Sequence, residues 1–224
     1  MLSLLFLSPF SFAEPNSPEQ KLVFDLSING KPVGSREITI NYLPISETNS
    51  GFSRASLGSR LLESRTEVDA VVAGKEFRFR EHSTAQFSGV NSRFVSSVSL
   101  GDDVAELQGR RLKDGSWMVY DVQSSEVLRR EYRRSEMDFF SLALFDPGQS
   151  HEWMKEEPLK IMLVETGHIW GGTWSPAGSE VISSATGQVS GERMEFQSGS
   201  NSMDALWSPD GLVVDWSVTV SGVR

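Results

Sequence analysis

The run from Arg193 to Val220 constrains the fold more than any other stretch. Met203, Ala205 and Trp207 alternate with Asp204 and Leu206 and lead into Ser208-Pro209-Asp210-Gly211. Trp216, Val218 and Val220 then alternate with Asp215, Ser217 and Thr219. A two-residue period places one set of side chains on a dry face and the other on a wet one, which is the pattern of a half-buried strand. Pro209 presets φ for the second position of a type I turn, and Gly211 can take the positive φ needed at its exit. The stretch reads as strand, turn, strand.

The same grammar runs through most of the chain. Leu22, Phe24, Leu26 and Ile28 form an alternating strand that ends at Asn29-Gly30, a strong hairpin signal. Ile38, Ile40 and Tyr42 return beside it. Val68, Ala70 and Val72 lead to Ala73-Gly74-Lys75, and Phe77 and Phe79 alternate with Arg78 and Arg80 in a strand that continues toward Phe87. Further hairpins are expected around Gly101-Asp102-Asp103 and Lys113-Asp114-Gly115, with Trp117 and Val119 on the strand after the second. Leu159 to Val164 reads as a strand, Thr166-Gly167 as a turn, and Val181–Ser183 and Gln188–Gly191 as short strands. Residues 14–20, with two prolines, read as a mobile linker. Residues 43–59 and 89–92 read as loop and turn. No repeat of fixed period is present.

One segment breaks the pattern. Glu126 to Phe145 has neither Gly nor Pro and reads as the chain's helix, with Ser135 and Asp138 as a capping box for its second part and Asp146-Pro147-Gly148 as its stop. Met137, Phe139, Phe140, Leu142, Ala143, Leu144 and Phe145 leave no polar side on it, so it should be covered all round. The expected fold is therefore mainly β: a single curved antiparallel sheet, or a partly open barrel of hairpin-linked strands, with one apolar helix packed against it. Residues 21–224 should form one domain.

Residues 1–13, MLSLLFLSPFSFA, carry no charged side chain and have an apolar centre, with Ser11 and Ala13 placed as small residues before a cut at Glu14. This is the layout of a secretory signal peptide, although no Lys or Arg precedes the apolar run. The alternative is a buried N-terminal strand or helix. The run is shorter than the roughly 20 residues that span a bilayer, so no transmembrane helix is expected. The 224 residues contain no cysteine, which removes thiol nucleophiles and thiolate metal sites. Export without disulfides suits a periplasm. The net charge of -9 argues against nucleic acid, which needs a basic face.

Two hairpins carry a family likeness: Phe24-x-x-x-x-Asn29-Gly30-Lys31-Pro32-Val33-Gly34 near the start, and Leu206-Trp207-Ser208-Pro209-Asp210-Gly211-Leu212-Val213 near the end. Together they resemble exported bacterial proteins of the group called domain of unknown function 3108 and its relatives. That resemblance implies a periplasmic, mostly antiparallel β fold. It supplies no activity and no site residues.

Candidate chemistry is sparse. His82, His151 and His168 could in number hold a zinc ion, but none has paired ligand spacing, and no metal or cofactor is expected. Serines abound without a Gly-x-Ser-x-Gly elbow. The paired carboxylates Asp102-Asp103 and Glu156-Glu157 fall in loops. Arg129, Arg130, Arg133 and Arg134 would stack at i,i+4 on a helix, either as a solvated face or as a cradle for an anionic head group. Trp170 and Trp174, with His168, would share one face of an unbroken strand, as core or as a stacking platform. The candidate binding set is Phe139, Phe140, Leu144, Trp170, Trp174, Arg130 and Arg134. It fits a non-catalytic binding or envelope-maintenance module that takes a lipid, an acyl chain or an envelope protein. The alternatives are a hydrolase of a cell-envelope polymer and a protein-interaction partner.

Overall fold

The structure, a computed structural model, describes residues 2–7, 19–28, 30–42, 59–72, 74–87, 92–123, 126–148, 157–184 and 187–220. Its strands are β1 (Leu2–Leu7), β2 (Glu19–Ile28), β3 (Lys31–Tyr42), β4 (Arg60–Val72), β5 (Lys75–Phe87), β6 (Arg93–Leu100), β7 (Asp103–Arg111), β8 (Trp117–Gln123), β9 (Glu126–Tyr132), β10 (Phe139–Phe140), β11 (Leu159–Met162), β12 (Ile169–Ser184), β13 (Gly187–Ser198), β14 (Asn201–Trp207) and β15 (Val213–Val220). They make one 15-stranded sheet in the order β10-β11-β12-β13-β14-β15-β1-β2-β3-β4-β5-β6-β7-β8-β9. All neighbours are antiparallel except β10 and β11. The expected cut at residues 13 and 14, linker residues 14–18, residues 43–58, the turn at 89–91, His151 and Glu156 lie outside the described residues. β2 begins at Glu19, so Glu19 and Gln20 belong to the ladder and not to the linker.

The turn chemistry places the hairpins. Gly30, Gly74, Gly101, Gly115, Gly167 and Gly211 all have positive φ, each at a turn expected from sequence. At the last of these, Gly211 N–H donates to Ser208 O at 2.9 Å and Ser208 N–H to Leu212 O at 2.8 Å, closing the β14–β15 turn. Two short strands expected after Trp174 are instead the far part of β12 and the start of β13. β12 runs unbroken through Gly171, Gly172 and Pro176, because a bulge between Pro176 and Gly178 absorbs the proline's missing N–H.

The expected helix at residues 126–145 does not form, and no α-helix occurs among the described residues. Glu126–Tyr132 is strand β9, paired with β8 from Gln123↔Glu126 to Trp117↔Tyr132. A close antiparallel neighbour gives these residues a full ladder, which outweighs their modest helix preference. Ser135 and Asp138 form no capping box. Asp138 instead exchanges bonds with β11, its N–H donating to Lys160 O at 2.9 Å and its Oδ2 accepting from Lys160 N–H at 2.8 Å. Phe139–Phe140 pairs in parallel with Ile161–Met162, and only Ser141–Phe145 turns helical, as a five-residue 3-10 helix.

That segment nevertheless lies where all-round apolarity demands. All five residues of the 3-10 helix are buried. The Phe140 ring stacks on Phe87 of β5 at 5.4 Å, meets Phe94 of β6 at 4.7 Å and stands edge-on to Trp117 of β8 at 5.4 Å. Phe145 meets Phe24 of β2 at 5.8 Å and Trp216 of β15 at 5.5 Å. One short segment thus touches strands far apart in the sheet order, so the sheet curls around it.

Curling needs positions without side chains. A Cβ built on Gly109 would stand 2.2 Å from the Phe94 ring, and one on Gly34 would stand 1.8 Å from the backbone oxygen of Glu67. A backbone carbonyl cannot swing aside as a side-chain tip can. Gly34→Ala should therefore cost about 3 kcal/mol, at the upper end of ordinary overpacking, read as a lower urea midpoint at unchanged slope.

Candidate functional site

The inward face of β3, β4, β5 and β6 is only partly apolar. Register aligns Arg36 with Thr66 and Thr66 with Glu81, and in the next inward row Ser64 with Ser83 and Ser83 with Ser96. Residues two apart on a strand share a face, so the two rows are adjacent. All six side chains are buried. Arg36 Nε donates to Ser64 Oγ at 3.1 Å, and Ser64 Oγ donates to Glu81 Oε2 at 3.0 Å. Thr66 Oγ1 donates to the same Glu81 oxygen at 2.6 Å, and Ser83 Oγ donates to Ser96 Oγ at 2.7 Å. The other Glu81 oxygen, Oε1, is buried without a hydrogen-bond partner in the protein.

The cluster joins the inner segment to the wall. Arg36 Nη2 donates to Glu165 Oε1 at 3.2 Å, and Ser141 Oγ donates to Glu165 Oε2 at 3.1 Å while accepting from Val164 N–H. The Arg36 guanidinium lies 5.1 Å from the Phe145 ring centre and 5.0 Å from that of Trp216, a cation–π contact with each ring. A second ion pair lies nearby. Arg60 Nη2 donates to Asp146 Oδ2 at 3.0 Å, and Arg60 Nε lies 2.5 Å from Asp146 Oδ1, close but poorly aligned. Gly148 N–H also donates to Asp146 Oδ1. Burial pushes the Asp146 carboxyl above the usual carboxylate range, against the pull of Arg60 and Gly148.

Apart from Glu81 Oε1 and Arg60 Nε, these groups are bonded to one another. No histidine touches them among the described residues. His82 lies on the outer face against Glu63 at 3.0 Å, and His168 is exposed before β12. Arg65 bonds the same Glu63 oxygen and, with help from His82, holds that carboxyl below its ordinary range. Asp102, Asp103 and Glu157 are exposed, and no cluster of three His, Asp or Glu among the described residues is arranged around a metal position.

The residues singled out from sequence fall into separate places. Phe140 and Leu144 are buried in the inner segment, and Phe139 is half-buried beside it. Trp170 and Trp174 do share a face and are core: Trp174 meets Phe196 at 5.3 Å and stands edge-on to Trp207 at 5.1 Å. Arg130 and Arg134 are exposed, and the helical i,i+4 stacking of the four arginines is lost because Arg129 and Arg130 sit side by side on strand β9. Arg129 instead covers Met118, its Nε 2.9 Å from the sulfur.

Sequence reasoning missed the inner polar cluster. The signal was parity: Glu81 shares its phase with Phe79, Ala85 and Phe87, and Arg36 shares its phase with Ile38 and Ile40. A charge on the apolar phase of a strand points inward.

No family model matches the chain, and no curated protein matches it. Among solved structures it is similar to a β-barrel-like protein of domain of unknown function 1849 from Brucella abortus, with a TM-score of 0.54 and 10% identity over 97% of this chain and 91% of that one. At that identity the likeness is one of fold. It places the chain with mainly antiparallel, barrel-like β proteins, and the group of domain of unknown function 3108 is not what it identifies.

Proposed function

We propose that the protein is an exported, periplasmic, non-catalytic binding module of the cell envelope that works through contacts with another macromolecule. One observation supports this reading above the others: each charged group drawn inside the curled sheet is engaged by other side chains of the fold. Arg60 meets Asp146, Arg36 meets Glu165, and Glu81 receives Ser64 and Thr66. A hydrolase needs two titratable groups converging on space open to substrate. Here such groups are held by the fold's own side chains, among aromatic rings supplied by residues 140–145. An acyl-chain carrier needs apolar volume where Phe140 and Phe145 make ring contacts. Recognition then falls to strand edges and outer faces.

Native mass spectrometry of the protein recovered from an envelope fraction tests this. A complex with a partner polypeptide is the expected result. A retained acyl-chain mass would favour the lipid carrier instead, and a bare protein that degrades isolated envelope polymer would overturn the proposal.

A further inference from the structure

Strand β1 holds the two halves of the sheet together. It lies between β15 and β2, paired with Val220 to Trp216 on one side and with Ile28 to Asp25 on the other. To one side of it stand β10 to β15, and to the other β2 to β9. Yet Leu2–Leu7 belongs to the segment with the layout of a signal peptide. If export removes it, both neighbours lose a ladder partner.

The gap that remains does not close easily. β1 is antiparallel to both neighbours, so β15 and β2 run in the same direction. They stand about two strand spacings apart, roughly 9.5 Å. Direct closure would require a parallel ladder in a sheet that is otherwise antiparallel apart from β10–β11. It would also crowd rings already in contact across the interior, Phe24 with Phe145 and Phe145 with Trp216. A strand inserted antiparallel to both restores every ladder bond without moving either wall.

The walls also specify side-chain character. Position 4 pairs with Val218 and Ile28, and position 6 with Trp216 and Leu26. Leu26 and Trp216 are buried core residues, and Ile28 is at its edge. Position 5 pairs with Ser217 and Ser27, and position 3 with Thr219. An incoming strand therefore needs apolar residues at alternate positions on the inner face and tolerates polar ones between them.

We infer that the seam between β15 and β2 is a strand-acceptor site, vacated by processing and filled in the mature protein by an extended, alternately apolar segment of a partner polypeptide. This is strand addition into an open sheet, in which main-chain bonds supply affinity and alternate side-chain positions supply selectivity. It rests on the export reading above and names the part of the protein that would do the binding.

The test has two arms. The intact mass of protein recovered from exporting cells should lack residues 1–13. A full-length mass would overturn both the export reading and the vacancy. The processed protein is then titrated with a synthetic peptide carrying Leu2–Leu7 between solubilising lysines. Saturable binding is expected, with a change in Trp216 emission (absent in a Trp216→Phe control) and slowed exchange of backbone amides in residues 25–28 and 216–220. A peptide with Ser at positions 4 and 6 should bind at least tenfold more weakly. Processed protein that ignores the peptide, with those amides already protected, would overturn the acceptor site and leave export standing.

Discussion

Replacing Arg60 with methionine lowers the free energy of unfolding by about 3–5 kcal/mol at pH 7, the cost of stranding one member of a buried pair. Arg60 and Asp146 are 7% and 0% exposed at their side chains, so water cannot take over the bond. The loss should depend on pH, and its sign follows from Asp146. Burial already holds that carboxyl above its ordinary range, and Arg60 is the main influence pulling it down. A carboxyl whose folded pKa is raised binds its proton more tightly in the native state. Its contribution to stability is full below the unfolded pKa and is lost as pH rises through the folded one. Without Arg60 the folded pKa climbs further. The variant's deficit should therefore be largest at neutral pH and shrink toward about pH 4, near the unfolded value for Asp. Urea unfolding at both pH values measures it, and an equal deficit at each would contradict the account. Adding Asp146→Asn should recover part of the loss at pH 7 and flatten the difference.

The pair also shows which part of the fold was legible in sequence. Hairpins were, because the elements that make them are local: Asn29-Gly30, Asp114-Gly115 and Pro209-Asp210-Gly211 act within a few residues, and alternation on either side fixes which face is dry. The burial of residues 140–145 was legible too, because a segment apolar on all sides has only one place to go. Its conformation was not. Glu126–Tyr132 has good helix formers and no breaker, and only the neighbouring β8 ladder makes it a strand. That information lies in pairing, not in propensity. The inner polar groups were hidden for a related reason. Ser64, Ser83 and Ser96 look like wet-face residues one strand at a time, and only register stacks them into a buried row. Asp146 read as a stop signal because its partner is 86 residues away.

Phe140→Ala should be as costly as the loss of Arg60, by a different route. The ring is 1% exposed and lies among Phe87, Phe94 and Trp117, with centroids 4.7 to 5.4 Å away. Truncation removes the transfer free energy of a phenyl group and leaves a hole that the curled wall cannot fill, since its strands are held by ladders on both sides. About 3–5 kcal/mol is expected, against roughly 1 kcal/mol for the half-buried neighbour Phe139, a typical value for a single substitution. The hole would be lined by aromatic carbon, so it should stay dry and accept a small apolar molecule. Benzene should then raise the melting temperature of Phe140→Ala and leave that of the parent unchanged. The second half of that comparison bears on function. If the native interior already held an open apolar pocket, the parent would respond to benzene as well. A response confined to the variant means that residues 140–145 are the permanent filling of the fold, and that whatever the protein binds is met at its edges.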